Sequence, residues 1–340
     1  MLNNQPNTKL SLKVHRSFRE TMPSWLLLVG LVLVGAFFAV MNPRIFSSYS
    51  ISSILATASM QGIVALSLLF VMTTGTFDLA AGMKAAIAAA IVGYMCADGF
   101  TVQTYILAII VGIAVSTFTG FIHGILSVTL RIPGFIAALA LRLILQAVIA
   151  VFTKNSKFYS NEWGEGYKVL GRGSLGGFLP YPFLIFLGLC LLCWIIMERT
   201  RMGRQIYSTG ANKTAAEQAG IKTNKARYMS FIIGGAIAAI GGILYTSRNY
   251  YSDVDMGLNL QMPAMTCVLL GATFFQPGKY NVPGCLVGAL FTSLLMTGIP
   301  SVFTSGPWLN YLVQGVAFLL SLGLIAKTKS GGLSKVTFDM

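Results

Sequence analysis

Long apolar runs alternate with short polar segments along most of the chain. Each run has about the length needed to cross a hydrocarbon core of roughly 30 Å. Ten runs can be distinguished, at Trp25–Met41, Ile51–Met72, Leu79–Ala97, Tyr105–Thr129, Pro133–Phe152, Leu179–Met197, Tyr228–Tyr245, Met262–Phe275, Val282–Ile299 and Trp308–Ala326. The pattern predicts an all-α integral membrane protein, a polytopic bundle of about ten transmembrane helices at residues 25–326. Tails are predicted at 1–24 and 327–340, and the short eighth run leaves the count open by one or two.

The composition leaves few residues that can face water. Only 10% of the residues are charged and 55% are hydrophobic, with a mean hydropathy of +0.73, whereas soluble domains have about 25% charged residues. A water-soluble globular protein is therefore excluded, because the apolar excess has to face lipid. The net charge of +14 indicates cytoplasmic loops of a membrane protein and not a nucleic-acid partner.

Basic residues also predict the orientation of the chain. With a cytoplasmic N-terminus, the inner segments hold 16 of the 24 Lys and Arg residues and the outer loops hold 6, beside five acids. Positive charge concentrates on the cytoplasmic side of membrane proteins. We therefore expect both termini in the cytoplasm, as an even number of spans requires.

The longest predicted cytoplasmic loop, 198–227, contains seven basic residues and a helix signal. Thr214 and Glu217 have capping-box spacing, in which the hydroxyl and the carboxylate each satisfy a free backbone amide. Gly220 suits the left-handed residue that ends a helix. The loop thus predicts a helix of one to two turns, which is too short to be stable in isolation. It packs either on the inner face of the protein itself or against a cytoplasmic partner.

The same loop carries a longer motif. Eleven residues fit the spacing T-x-x-G-R-x-I-Y-A-x-G-x-N-x-x-A-A-x-x-x-G-I, namely Thr200, Gly203, Arg204, Ile206, Tyr207, Gly210, Asn212, Ala215, Ala216, Gly220 and Ile221. The loop resembles the coupling segment of the permeases of ribose-type ATP-binding-cassette (ABC) importers. Ser208 stands where that family has Ala.

Three further stretches carry this resemblance. Residues 74–82 are similar to the family motif S-G-G-I-D-L-S-V-G, and residues 132–139 resemble I-P-P-F-I-A-T-L. Residues 264–288 resemble a glycine-rich motif of the family, with departures at 270–272, 276–278 and Cys285 that indicate a divergent branch. The likeness extends over about 50–326.

The resemblance implies a multi-pass subunit of the bacterial cytoplasmic (inner) membrane that forms the path for a monosaccharide, ribose or a related simple sugar. It implies a cytoplasmic ABC ATPase that holds ATP and Mg, a second permease subunit, identical or different, and a periplasmic or lipid-anchored sugar-binding protein. The ATPase-coupling residues are then Arg201, Gly203, Arg204, Asn212, Thr214, Ala215, Ala216, Glu217 and Gly220. Another small polar solute, such as a furanosyl signalling molecule or a nucleoside, is the alternative substrate.

The sequence has no motif typical of a nucleotide-binding or catalytic site. It has no phosphate loop, since its one Gly-Lys pair, Gly278-Lys279, is followed by Tyr280. We therefore predict a transporter subunit and not an enzyme, with no metal or cofactor bound by this chain. An ion-coupled secondary transporter fits less well, because such proteins use acids at the bilayer midplane and Asp78 lies at the end of a span. A membrane scaffold would leave the coupling loop without a purpose.

Four polar side chains in or beside the spans are candidate pathway or structural residues. Asp78 is expected to cap the third span, and Lys84 to extend its amine to the inner surface. His123 is expected to be a buried, hydrogen-bonded histidine. Arg142, near the midplane, must face the sugar path, an ion-pair partner or carbonyl groups. Helix packing is expected at Gly120, Gly124, Gly284 and Gly288.

Overall fold

The structure is a computed structural model that describes residues 18–97, 99–155, 163, 165–303 and 308–329. In these ranges the helices are α1 Phe18–Met41, α2 Ser48–Thr73, α3 Ala81–Met95, α4 Val102–Gly124, α5 Gly134–Thr153, α6 Glu165–Arg172, α7 Tyr181–Trp194, α8 Arg201–Ala211, α9 Lys213–Gln218, α10 Thr223–Asn249, α11 Met256–Gly271, α12 Val282–Val302 and α13 Trp308–Lys329. Two short strands, β1 Ser174–Leu175 and β2 Leu179–Pro180, pair antiparallel between α6 and α7. Single π-helical turns extend α4 through Thr129 and α7 through Arg199.

Six helices are long and apolar enough to cross a membrane, at Ser48–Thr73, Val102–Thr129, Gly134–Val151, Tyr181–Arg199, Thr223–Asn249 and Val282–Val302. Shorter apolar helices lie at Leu27–Met41, Ala81–Met95, Met256–Gly271 and Trp308–Gly323. These elements overlap the runs predicted from the sequence, and the helical membrane bundle is confirmed. The number of spans and the side of the termini stay predictions. Of the predicted tails, 1–17 and 330–340 lie outside the described residues.

Two boundaries differ from the predicted runs for local reasons. The sixth run was predicted from Leu179, but Leu179 and Pro180 form a strand and α7 begins at Tyr181 with Pro182 in its first turn, a position proline tolerates. The eighth run was predicted from Met262, whereas α11 begins at Met256 and continues through Pro263. Gln261 is polar, so the hydropathy pattern places it outside the apolar run. In the fold its side chain is buried against protein and not lipid.

Helix α2 lies at the centre of the bundle. Its residues 58–73 are all buried, and it packs against α7, α10, α11 and α12. A helix that is apolar on every side is stable when it is surrounded by protein. Helix α3 is likewise enclosed, by α4, α5, α10 and α11. The neighbouring ends of α2 and α3, joined by residues 74–80, are therefore held inside the bundle.

Candidate functional site

The predicted coupling loop folds as two short helices, α8 and α9. Thr200 caps α8 by accepting a hydrogen bond from the Gly203 amide at 3.2 Å. Asn212 caps α9 by accepting from the Ala215 amide at 3.0 Å. Gly220, just after α9, has φ +79°, the left-handed conformation.

The capping box predicted at Thr214 and Glu217 is wrong. Thr214 lies inside α9, and the Glu217 carboxylate accepts a hydrogen bond from the Thr223 hydroxyl at 2.6 Å. Asparagine is a preferred N-cap residue, and Asn212 starts the helix two residues earlier. Glu217 therefore fastens α9 to the first turn of α10.

Helix α8 rests on the backbone of the transmembrane helices. A Cβ atom added to Gly203 would lie 2.1 Å from the Met197 carbonyl oxygen, at the end of α7. A Cβ atom added to Gly210 would lie 1.8 Å from the Thr73 carbonyl oxygen, the last residue of α2. Only glycine permits such an approach, so these two positions fix α8 against α7 and α2.

The remaining predicted coupling residues form the outer side of this segment. Gly203 and Ala216 are buried beneath it, and the exposed residues are Arg201, Arg204, Asn212, Thr214, Ala215, Glu217 and Gly220. This exposed side of α8 and α9 is called the coupling surface below. Its Arg, Asn, Thr and Glu side chains can make polar contacts with another protein.

Sequence reasoning missed the loop between α11 and α12 that supports α8. The Tyr207 hydroxyl donates to the Tyr280 carbonyl at 2.9 Å and lies 3.3 Å from the Glu198 carboxylate. Burial, and secondly the Glu198 charge, raises the pKa of Tyr207, so the hydroxyl stays a donor. The Lys279 amine lies 3.9 Å from the centre of the Tyr207 ring, a cation–π contact. The only sequence signal was the positive charge of Lys279 in an inner segment.

A second set of predicted residues meets inside the bundle. The Lys84 amine lies 2.6 Å from the Asp78 carboxylate, and both side chains are completely buried. The other Asp78 oxygen accepts from the Ala80 amide at 2.8 Å, and the Lys84 amine is 3.2 Å from His123 Nδ1. The expectation that Lys84 extends to the inner surface is wrong, because an ionic partner lies within reach six residues earlier. Asp78, Lys84 and His123 are called the buried triad below.

Residues from two other helices complete the surroundings of the buried triad. The Gln261 amide donates to the Asp78 carbonyl at 2.9 Å and accepts from the Gly82 amide at 2.7 Å. The His123 ring packs against the Phe231 ring with 4.1 Å between centroids. Gln261 was not predicted, since nothing in the sequence connects it to a residue about 180 positions away.

The structure does not bring Arg142 into this cluster. Arg142 lies on α5 and is half-buried, and its Nε atom has no hydrogen-bond partner among the described residues. The predicted packing glycines lie at helix contacts: added Cβ atoms would fall 2.3–2.5 Å from neighbouring backbone or ring atoms at Gly120, Gly124 and Gly288, and 2.0 Å from the Gly271 oxygen at Gly284. Among the described residues there is no group of His, Cys, Asp or Glu that could hold a metal ion.

Comparison with known proteins identifies the family of this architecture. The model of the family described as "Branched-chain amino acid transport system / permease component" matches residues 50–322. The chain belongs to this permease family.

Several curated relatives of this permease are import permeases. It is 27% identical to the ribose import permease protein RbsC of Bacillus subtilis over 302 residues, 89% of this chain and 92% of the relative. It is 28% identical to RbsC of Escherichia coli K12, over 88% and 94% of the two chains. The autoinducer 2 import system permease protein LsrC of Salmonella choleraesuis is 25% identical, over 86% and 82%.

A solved structure shares the fold of this permease. It is described as an inward-facing conformation of a metal-chelate type ABC transporter, and it superimposes with a TM-score of 0.53 at 14% identity over 90% of this chain and 98% of the other. At that identity the likeness shows the fold alone. The family and the apolar helices confirm a multi-pass transporter subunit of the bacterial cytoplasmic (inner) membrane.

Proposed function

We propose that this permease forms the translocation path of an ABC importer for a monosaccharide of the ribose type. The observation that carries the proposal is its similarity, over about nine-tenths of both chains, to ribose import permeases. The sequence contains no phosphate loop, so ATP and Mg are bound by a separate cytoplasmic ATPase. A second permease subunit and an extracytoplasmic sugar-binding protein complete the system.

The coupling surface is the proposed contact with the ATPase. Two features support this: α8 contacts the ends of α2 and α7 at backbone distance, and the opposite side of α8 and α9 is exposed. A force applied to this surface is transmitted to the bundle through rigid contacts and not through flexible side chains. The basic residues Arg201, Arg204 and Lys213 favour a partner with an acidic surface.

Ten spans with both termini in the cytoplasm are part of the proposal. The four shorter apolar helices overlap predicted runs one, three, eight and ten. Tilting, bilayer thinning and polar flanks allow short helices to span. The basic residues of the coupling surface then lie on the cytoplasmic side, as the positive-inside rule requires.

The test is uptake into proteoliposomes that contain this permease, its ATPase and its binding protein. Ribose uptake is expected to need all three components. It is also expected to need ATP on the side of the membrane where the ATPase lies. A furanosyl signalling molecule and a nucleoside in the same assay distinguish the alternative substrates. Ribose uptake by the permease alone, unaffected by ATP, would show an ion-coupled or facilitative transporter and contradict the proposal.

Arg142 is proposed to lie on the sugar path. Its position on α5, its partial exposure and the free Nε donor support this, since a charge at membrane depth has to face water or protein. Arg142→Met is expected to lower ribose uptake by about tenfold, with normal expression. That factor corresponds to the free energy of one hydrogen bond from a charged group. Arg142→Lys keeps the charge and serves as the control. Full uptake by Arg142→Met would remove this residue from the path.

A further inference from the structure

The connector between α2 and α3, residues 74–80, touches two elements that do not otherwise form an extensive contact, α8 and α5. An added Cβ atom on Gly210 of α8 would lie 1.8 Å from the Thr73 oxygen and 3.3 Å from the Thr74 carbonyl carbon. An added Cβ atom on Gly134, the first residue of α5, would lie 2.1 Å from the Thr76 methyl group. Only two residues separate Thr73 from Thr76. The start of the connector is therefore packed between α8 and the first turn of α5.

The end of the connector is held by the buried triad. Asp78 pairs with Lys84 on α3 at 2.6 Å, and the Lys84 amine lies 3.2 Å from His123 Nδ1. The same nitrogen lies 3.5 Å from the second oxygen of the Asp78 carboxylate. A charged lysine amine can only donate, so we assign Nδ1 as its acceptor and the ring proton to Nε2. That nitrogen lies 3.4 Å from the Gly134 carbonyl oxygen. Gly134 is thus contacted twice, directly by Thr76 and through His123 by the ion pair.

Helix α5 is the less enclosed of the elements in this arrangement. It packs mainly on α3 and α4, and Phe135, Ile136, Leu143 and Ile144 on its other sides are exposed. Helix α2, by contrast, is buried along most of its length. A displacement of the connector by α8 is therefore passed to the first turn of α5 more readily than to the core.

We propose that Lys84 and His123 are positioning residues that make the inner end of α5 follow the coupling helix α8. Lys84 neutralises Asp78 and holds the connector rigid, and the His123 N–H fixes the Gly134 carbonyl to that rigid unit. The inference rests on the proposed function, because α8 moves only if an ATPase acts on it. The buried triad then transmits the movement of α8 to α5, in addition to stabilising the bundle.

Two substitutions at His123 separate the contacts of its Nδ1 from the contact of its Nε2. The side-chain amide of Asn occupies about the place of Nδ1, so His123→Asn keeps an acceptor for Lys84 and loses the contact with Gly134. The amide of Gln extends to about the place of Nε2, so His123→Gln keeps a donor for Gly134. His123→Phe preserves ring packing against Phe231 and loses the polar contacts of both ring nitrogens. The nucleotide-dependent movement of α5 is expected to be largest in the wild type, smaller in His123→Gln, and smallest in His123→Asn and His123→Phe.

The experiment measures distances between pairs of nitroxide labels in the intact complex with its ATPase. Labels are placed at the exposed residues Lys213 on α9, Ile136 on α5 and Tyr94 at the far end of α3. The Lys213–Tyr94 distance reports the coupling surface, and the Ile136–Tyr94 distance reports α5. Each pair is measured without nucleotide and with ATP and vanadate. The native cysteines are all buried, which keeps the labels specific.

In the wild type both distances are expected to change with nucleotide. In His123→Asn and His123→Phe the Lys213–Tyr94 change is expected to persist and the Ile136–Tyr94 change to be lost, while His123→Gln restores it. A purely structural role would alter both distances or neither. If His123→Asn and His123→Phe shift Ile136 as the wild type does, the positioning role is wrong and the coupling proposal stands.

Failure of the proposed function gives a different result. If the wild-type Lys213–Tyr94 distance does not respond to ATP and vanadate in a complex that hydrolyses ATP, the coupling surface is wrongly assigned and this inference falls with it. Monodisperse elution in size-exclusion chromatography is required of every variant. Should His123→Phe not fold, the Asn and Gln pair alone decides between the outcomes.

Discussion

Lys84 carries its charge in a fully buried position beside an equally buried Asp78. Moving one charge out of water is costly, and a buried pair persists only where geometry is close and the remaining polar atoms are used. Here the amine is 2.6 Å from one carboxylate oxygen, and the other oxygen accepts from Ala80. The amine also lies 3.2 Å from His123 Nδ1. The pair is neutral as a unit, which explains how it is tolerated inside a membrane protein.

Lys84→Met is expected to destabilise the permease by about 3–5 kcal/mol, because it leaves the Asp78 carboxylate buried without a counter-charge. The measurement is thermal unfolding of the purified protein in detergent. The control is the double substitution Asp78→Asn with Lys84→Met, which removes both charges and is expected to recover most of the loss. Equal stability of Lys84→Met and wild type would mean that the ion pair contributes nothing to the fold.

At the scale of single elements, the sequence motif of α8 marks positions, and the fold shows why those residues stand there. The motif identified Gly203 and Gly210 as matching positions, yet their reason appears only in the fold, where they meet the carbonyl groups of Met197 and Thr73. The capping residue of α9 was misassigned because Asn212 and Thr214 both suit a helix start. In the structure Asn212 is the capping residue. With this helix start, Ala216 is buried and the Glu217 carboxylate accepts the hydrogen bond from the Thr223 hydroxyl.

Gly210→Ala is expected to uncouple ATP hydrolysis from ribose uptake, because its methyl group requires α8 to move away from α2. Overpacking of this kind costs about 1–3 kcal/mol. The measurement is the ratio of ATP hydrolysed to ribose taken up in the reconstituted system, which is expected to rise. The matched control is Gly188→Ala on α7, where an added Cβ atom meets nothing within 4 Å. An unchanged ratio in Gly210→Ala would place the coupling contact elsewhere.

At the scale of the whole molecule, a buried centre is surrounded by helices with exposed apolar faces. Helices α2 and α3 are enclosed by neighbours, whereas α1, α5, α7 and α13 present large apolar side chains such as Val32, Leu143, Leu191 and Leu319 outward. In the proposed complex, those outward faces meet lipid or the second permease subunit. The short strands β1 and β2 and the coupling surface then lie on opposite sides of the membrane in the proposed topology.

That orientation predicts different reactivity for two introduced cysteines. In spheroplasts, Leu175→Cys on β1 is expected to react with a membrane-impermeant maleimide, whereas Lys213→Cys on α9 is expected to react only after permeabilisation. Both positions are exposed, and the parent protein is the control because its cysteines are buried. Labelling of Lys213→Cys in intact spheroplasts would reverse the assigned orientation.

The sequence by itself determined that the chain is a helical membrane bundle and where the apolar helices run, because hydropathy over about twenty residues is a local property that lipid selects directly. Its contiguous motif at 200–221 also marked the segment that folds as α8 and α9, whose coupling role stays a prediction. Only the tertiary structure decided what the intramembrane polar residues do. The bonds from Lys84 to His123 and from Gln261 to Asp78 join residues 39 and 183 positions apart, and such pairs form because helix packing, rather than any nearby residue, places them together.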